Sequence, residues 1–138
     1  MTPMPDAYSL LQRAANLYQT EKVLESIGVC NSILERDARC VPAIRILALC
    51  RTKMGLYDEA GRLFTRAKKL APSNPSILAD EAVMHRGIGQ YKQMIACCRA
   101  ALKIDPKHTI AQGMLADAFE RSGDLEKAQE FIERTIKS

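Results

Sequence analysis

A set of residues recurs every 34 positions along most of this chain, and that period constrains the fold more than any other feature. Gly55, Gly89 and Gly123 stand at this spacing. The other columns that keep residue size are Pro72 and Pro106; Ala48, Ala82 and Ala116; Tyr57, Tyr91 and Leu125; Ala60, Met94 and Ala128; Phe64, Cys98 and Ile132; and Ala67, Ala101 and Thr135. A fixed period of this length is typical of stacked repeat architectures.

The first copy of the repeat is weaker than the others. Ala14 keeps the small column, and Val23, Ser26, Cys30 and Ile33 fall in later columns, but Glu21 replaces the turn glycine and Ala38 the closing proline. The sequence predicts a single domain over residues 1–138, with repeats at about 7–40, 41–74, 75–108 and 109–138.

Each copy has the local signals of two helices. In the second copy, Pro42 suits a first helical turn, and Gly55 can take the left-handed conformation that ends a helix. A second helix is predicted to begin near Tyr57 and to stop before Pro72. Asn74 is then placed to cap the helix of the next copy. The pattern therefore predicts an all-α chain of seven to eight helices.

Composition narrows the possible environments and partners. The net charge is +4 and basic residues alternate with acidic ones, so charge favours neither nucleic acid nor a membrane surface. No run approaches the roughly 18 apolar residues of a membrane span, and the first residues lack a secretory signal. The cysteine count is odd, without a CxxC pair: Cys30, Cys40, Cys50, Cys97 and Cys98. We expect a reducing, cytoplasmic location and no membrane insertion. We also expect neither a disulfide framework nor a structural metal site.

The columns together resemble the tetratricopeptide repeat (TPR) family, and the resemblance extends from about Ala7 to Ser138. The second copy matches best, at Ile44, Leu47, Ala48, Gly55, Tyr57, Ala60, Phe64, Ala67 and Pro72. Glu81 departs from the pattern where a large apolar residue is expected, and Gln112 where an aromatic is usual. The resemblance implies a right-handed α-solenoid of about four helix-turn-helix repeats. The first helix of each repeat (helix A) would line a concave groove, and the second (helix B) would lie on the convex side.

By the same resemblance, specific helix A residues would face the groove. They are Tyr8, Leu11, Ala15, Tyr18 and Gln19; Arg45, Leu49, Thr52 and Lys53; Ser76, Ala79, Val83 and Arg86; and Asp117, Glu120 and Arg121. Such a mixed set suits an extended or helical peptide with a few charges and an apolar anchor. The alternative is a concave face that is merely solvated.

The expected function is that of a non-catalytic protein–protein interaction module or scaffold that binds a partner in this groove. Two alternatives remain: an N-terminal targeting or regulatory arm of a larger enzyme, such as a transferase, and a self-association module. Catalysis within the chain is not expected, because the sequence has no phosphate-binding glycine loop, nucleophile elbow or HExxH motif. No cofactor is expected.

Members of the family that bind chaperone tails hold a C-terminal carboxylate with Lys, Asn and Arg side chains. The matching positions here are Leu11, Ala15, Ile46, Ser76 and Asp80, or, one repeat later, Arg45, Leu49, Asp80, Ile110 and Met114. Neither set can clamp a carboxylate. The sequence therefore predicts a protein or peptide partner other than a chaperone C-terminal tail.

Some residues carry chemistry outside the repeat pattern. Glu81 and His85 lie four apart at inward positions, so we expect them to pair; no third ligand for a metal is evident, and Cys97 is expected to be exposed. His108 is interpreted as a surface or capping residue.

The last helix has no polar closing helix after it in this sequence. Phe131 and Ile136 would then be partly exposed, which suggests a homodimer contact or a further domain. The alternative is that both side chains fold back on helix A.

Overall fold

The protein is all-helical throughout the part that is described. The structure is a computed structural model that describes residues 6–137, and within this range it contains eight α-helices and no strand. The helices are α1 (Ala7–Gln19), α2 (Val23–Arg36), α3 (Val41–Lys53), α4 (Tyr57–Leu70), α5 (Pro75–Ile88), α6 (Tyr91–Ile104), α7 (Thr109–Arg121) and α8 (Leu125–Lys137). The predicted all-α repeat fold is confirmed.

The turn between the two helices of a pair has the same backbone conformation in every repeat. Gly55, Gly89 and Gly123 have φ angles of 76°, 88° and 83°, and Glu21, at the same position of the first repeat, has a φ of 64°. Glycine takes this left-handed conformation without the steric cost that a Cβ brings. The fold thus imposes the turn even on the first repeat, where the sequence supplies no glycine.

Two helices of the second half, α5 and α7, begin with side-chain caps. The side chain of Asn74 accepts a hydrogen bond from the backbone N–H of Ser76 at 3.0 Å, and Pro75 opens α5. His108 caps α7 in the same way, since its Nδ1 accepts from the N–H of Ala111 at 3.2 Å. The cap by Asn74 was predicted from the sequence, and capping was one of two roles expected for His108. Both side chains satisfy N–H groups that have no partner inside the helix.

The chain divides into two compact units, Met1–Pro72 and Ser73–Ser138. In the first unit each helix contacts the next, and α1 also contacts α3. Its core includes Ala14, Cys30 and Leu47, and buried Ser26 donates its hydroxyl hydrogen to the carbonyl of Ala14 at 2.8 Å. This bond fixes α2 against α1 where the small residue lets the backbones approach.

The second unit repeats this arrangement with different side chains. Successive helices from α5 to α8 are in contact, and α5 also contacts α7. Its core includes Ala82, Met94, Cys98, Leu115 and Phe119. Cys98 is fully buried at the repeat position of Phe64, where a cysteine packs as a small hydrophobic residue. Among the described residues, no helix combines the length and apolar character that crossing a bilayer requires.

Candidate functional site

The helix A face of the first unit is organised around Lys53 and Tyr18. The ammonium nitrogen of Lys53, on α3, lies 4.0 Å from the centre of the Tyr18 ring, on α1. The same nitrogen donates hydrogen bonds to the carbonyl of Tyr18 at 3.1 Å and to the carboxylate of Glu21 at 2.9 Å. Two residues predicted for the groove are therefore brought together, and their contact links two successive A helices.

The other predicted residues of this face differ in exposure. Tyr8 is 69% exposed and Gln19 is also exposed. The half-buried members of the set are Leu11, Ala15, Arg45 and Leu49. Thr52 is buried, and its hydroxyl donates to the carbonyl of Ala48 at 2.9 Å within α3. Thr52 therefore offers almost no surface to a ligand.

The helix A face of the second unit carries a chain of charged contacts. A carboxylate oxygen of Asp117, on α7, lies 3.4 Å from Arg86 Nη1, on α5, and the other lies 2.9 Å from Arg121 Nε. Hydrogen bonding to Asp117 raises the pKa of Arg121 above its ordinary value. The three predicted residues form one ion-pair network across two A helices, in which one carboxylate holds two guanidinium groups.

The remaining predicted residues of this face differ in how far they are exposed. Glu120 is exposed and Val83 packs half-buried against the core. The hydroxyl oxygen of Ser76 lies 3.2 Å from Nε2 of His108. Ala79 is only 1% exposed and packs with Ala101 and Ala111. Burial removes Ala79 from the surface that a partner could touch.

A cavity of about 480 Å³ opens beside α6, α7 and α8, away from any residue singled out in the sequence except Phe131. Its floor is apolar and most of its charged lining is basic. The lining residues are Arg99, Leu102, Lys103, Leu115, Phe119, Lys127, Glu130, Phe131 and Arg134. The guanidinium carbon of Arg99 lies 5.7 Å from the centre of the Phe119 ring. Sequence reasoning missed this surface because the basic residues come from two helices, and only the fold brings them together.

Glu81, His85 and Cys97 form a cluster inside the second unit. Glu81 Oε1 lies 4.0 Å from His85 Nε2, so the two side chains are neighbours, as expected, at a distance too long for a hydrogen bond. Cys97 was expected to be exposed, and this expectation was wrong: its side chain is buried and donates to Glu81 Oε1 at 3.2 Å. The ligand atoms of all three residues lie within 4.8 Å of one another, so a third potential metal ligand does exist. The helical period puts Cys97 at the edge of the buried face of α6. The structure buries it there, in contact with Glu81 of α5.

The remaining buried thiols are poorly suited to nucleophilic chemistry. Burial raises the pKa of Cys30 to about 12 and that of Cys98 to about 11. Burial also raises the pKa of Cys50. These thiols stay protonated at neutral pH, and the thiolate is the reactive form. All five cysteines are free.

The sequence suggests that the last helix contacts a second copy or a further domain. Phe131 is half-buried and packs edge-to-face on Phe119, with ring centres 6.4 Å apart. This is the alternative in which the side chain folds back on helix A. The side chain of Ile136 lies outside the described residues, whereas Ile132 is 41% exposed. Self-association through this helix stays a prediction.

Helix pairs that recur every 34 residues, with ordered charged side chains on their A faces, define a helical repeat protein of the protein-interaction class. The chain belongs to the tetratricopeptide repeat family. One tetratricopeptide repeat model of this family matches residues 43–76 and a second matches residues 85–138. Together they account for more than half of the chain.

Relatives in this family include larger proteins. The chain is 30% identical over 82 residues to a heat-shock protein cognate co-chaperone, sgt12, of Aspergillus fumigatus; the match covers 59% of this chain and 24% of that protein. It spans only 11% to 24% of the length of the first curated relatives it matches.

Two solved structures have the same fold. A mutant of the O-GlcNAc transferase of Thermobaculum terrenum superposes with a TM-score of 0.75 at 25% identity, over 84% of this chain and 23% of that one. MamA from Desulfovibrio magneticus RS-1 superposes with a TM-score of 0.76 at 17% identity, over 96% of this chain and 75% of that one.

Proposed function

We propose that this protein is a non-catalytic module that binds a peptide segment of a partner protein on its helix A faces. The observation that carries the proposal is the ordering of charged side chains there, by Tyr18 and Glu21 around Lys53 and by Asp117 between Arg86 and Arg121. Side chains held in place before binding lose less entropy when a partner arrives.

The chemistry of the first unit favours an acidic peptide with an apolar anchor. Arg45 and Lys53 supply positive charge, exposed Tyr8 supplies an aromatic surface, and Leu11 and Leu49 are half-buried apolar neighbours on the same two helices. Aromatic and arginine side chains contribute most to binding at protein interfaces. An extended or helical segment with one or two carboxylates near a large apolar residue matches this set.

The test uses peptides selected on the intact chain from a displayed random library. Affinities of the selected peptides are measured by fluorescence anisotropy for the native protein and for a triple variant, Arg45→Glu with Lys53→Glu and Arg86→Glu. We expect the triple variant to lose at least tenfold in affinity. The matched control reverses the same number of charges at the exposed residues Arg62, Lys69 and Lys107. Equal binding by the two triple variants, both folded by circular dichroism, would contradict the proposal.

The cavity beside α6 and α8 is a second candidate surface for an acidic segment, favoured by its charge. Arg99, Lys103, Lys127 and Arg134 surround an apolar floor, and Glu130 is the one acid among the lining residues that the structure describes. The same peptides can be measured against Lys103→Glu with Lys127→Glu. A loss of affinity in this variant, and none in the helix A variant, would assign the binding to the cavity.

The repeats can also serve as the targeting arm of a larger enzyme. This alternative is supported by the lengths of the matches, since this chain matches only part of the O-GlcNAc transferase and only part of each curated relative named above. Reading the genomic frame beyond codon 138 tests this directly. A catalytic domain in the same frame would favour the arm, and a stop codon would favour the free-standing module.

A further inference from the structure

Glu81, which departs from the repeat pattern, lies buried at a position where other repeats have leucine. Leu47 and Leu115 occupy the same repeat position and are 7% and 3% exposed, whereas Glu81 places a carboxylate there at 9% exposure. An ionised group in such a position is costly unless it is paired or coordinates a metal. The repeat fold does not require a carboxylate at this position, since two other repeats use leucine.

Three different donor groups meet at this carboxylate. Glu81 and His85 come from successive turns of α5, and Cys97 comes from the facing side of α6. Zn²⁺ lies about 2.0–2.3 Å from its nitrogen, oxygen and sulfur ligands, so ligand atoms around one ion stand roughly 3.3–3.8 Å apart. The observed separations are 3.2 Å from sulfur to oxygen and 4.0 Å from oxygen to nitrogen, and all three ligand atoms lie within 4.8 Å of one another, so shifts of about an ångström would bring them around one ion.

The ring of His85 is held in the orientation that a metal ligand needs. Its Nδ1 lies 3.0 Å from Oε1 of Gln90. The amide oxygen of Gln90 only accepts, so Nδ1 carries the hydrogen, and in the neutral ring the lone pair of Nε2 then lies on the side of Glu81. Histidines that bind metals are oriented in this way by a hydrogen bond from the other ring nitrogen. Gln90, which lies outside the cluster, holds the ring of His85 in the orientation that metal binding would use.

We propose that Glu81, His85 and Cys97 bind one Zn²⁺ ion, with the fourth position filled by water or an external donor. The choice of metal follows from the ligands, because a thiolate, an imidazole and a carboxylate suit Zn²⁺, whereas Ca²⁺ and Mg²⁺ take oxygen ligands. On binding, the thiol hydrogen of Cys97 leaves as a proton to solvent and the thiolate bonds the metal. No oxidation or reduction occurs. The partial exposure of the His85 side chain, 16%, provides a route of entry.

Such a site would join α5 to α6 within the third repeat. The ion would replace the thiol–carboxylate hydrogen bond by two metal–ligand bonds and would bring the imidazole into the same coordination sphere. Its effect would be to stabilise this helix pair in the presence of zinc, whether or not the helix A faces bind a peptide.

Cobalt titration of the whole chain is the test, because Co²⁺ takes the same geometry and reports thiolate ligation optically. The protein is reduced, stripped of metal with a chelator and titrated with Co²⁺. We expect one ion per chain, a near-ultraviolet thiolate-to-cobalt charge-transfer band, and loss of that band when Zn²⁺ is added. Absence of the band in the native protein would overturn the proposal and leave the cluster a hydrogen-bonded network.

Variants separate this site from adventitious binding. Cys97→Ser should abolish the charge-transfer band, and His85→Gln should weaken cobalt binding at least tenfold. Gln90→Leu, which touches no metal, should weaken it by about 10–100-fold through the ring of His85. Cys40→Ser and His108→Gln, which change a thiol and an imidazole elsewhere, should leave binding unchanged.

A last variant guards against loss of folding. Glu81→Leu installs the residue found at Leu47 and Leu115, so it should keep the helical circular dichroism spectrum and bind no cobalt. A charge-transfer band that persists in Cys97→Ser, or full binding by folded Glu81→Leu, would show that the metal is held elsewhere and would contradict the site.

Discussion

Lys53 of α3 lies over the ring of Tyr18 of α1, with its nitrogen 4.0 Å from the ring centre, and reaches Glu21 at 2.9 Å in the same conformation. The lysine therefore joins the A helices of the first and second repeats by a cation–π contact and an ion pair. The contact therefore orders part of the proposed binding surface in the first unit.

Removing this ammonium group should weaken the first unit slightly. Lys53→Met keeps the aliphatic stem and loses the charge, and we expect a loss of about 0.5–1 kcal/mol in unfolding free energy, the range for an exposed cation–π contact. Urea denaturation followed by circular dichroism measures it. Lys69→Met, on the exposed face of α4, is the control, and an equal loss in both variants would mean that the stacking contributes nothing.

Two glycines of the second unit should respond to alanine in opposite directions. Gly89 has φ 88°, so Gly89→Ala forces a Cβ into the left-handed region and should cost about 1–2 kcal/mol. Gly113 lies within α7 with open space around it, so Gly113→Ala should gain about 0.5–1 kcal/mol. Thermal melts of both variants give the signs. Stabilisation by Gly89→Ala would be incompatible with the turn described above.

Alkaline pH should destabilise the fold through its buried thiols. The folded-state pKa values of Cys30, about 12, and Cys98, about 11, lie above the ordinary 9.0, so the unfolded chain releases these protons first. The unfolded state then binds fewer protons, and stability falls as pH rises from 9 toward those values. Each thiol contributes at most about 1.4 kcal/mol per pH unit.

Melting curves of the native protein and of a Cys30→Ala, Cys98→Ala double variant measure this effect. The comparison is needed because tyrosine and lysine groups also titrate in this range. The double variant should lose less stability between pH 9 and pH 11 than the native protein. Parallel pH profiles for the two proteins would contradict the assignment to these cysteines.

A peptide with the C-terminal sequence of a cytosolic chaperone should not bind. The positions that would clamp its carboxylate are occupied by residues such as Leu11, Ala15 and buried Asp80, which offer no cationic donor. Isothermal titration calorimetry should detect no heat of binding at micromolar protein concentration. Binding that disappears when the peptide carries a C-terminal amide would show that the chain clamps the carboxylate after all.

The repeat pattern was sufficient to predict the helices, since each boundary depends on local chemistry. Gly55 ends α3, Pro72 follows α4, and Asn74 caps α5, and all three effects act within one turn of the chain. The candidate surface was harder to predict. The family resemblance assigned Thr52 and Ala79 to the groove face, and the structure buries both, because the exposure of a helix face depends on the neighbouring helix.

What the sequence by itself determined is the repeat: helix pairs every 34 residues, their caps, and the family to which they belong. What only the tertiary structure decided is which distant side chains meet. Lys53 and Tyr18, Asp117 and Arg86, and Cys97 and Glu81 come from separate helices. The physical reason is that backbone conformation is set by near neighbours along the chain, whereas a contact between helices depends on their packing, which no short stretch of sequence encodes.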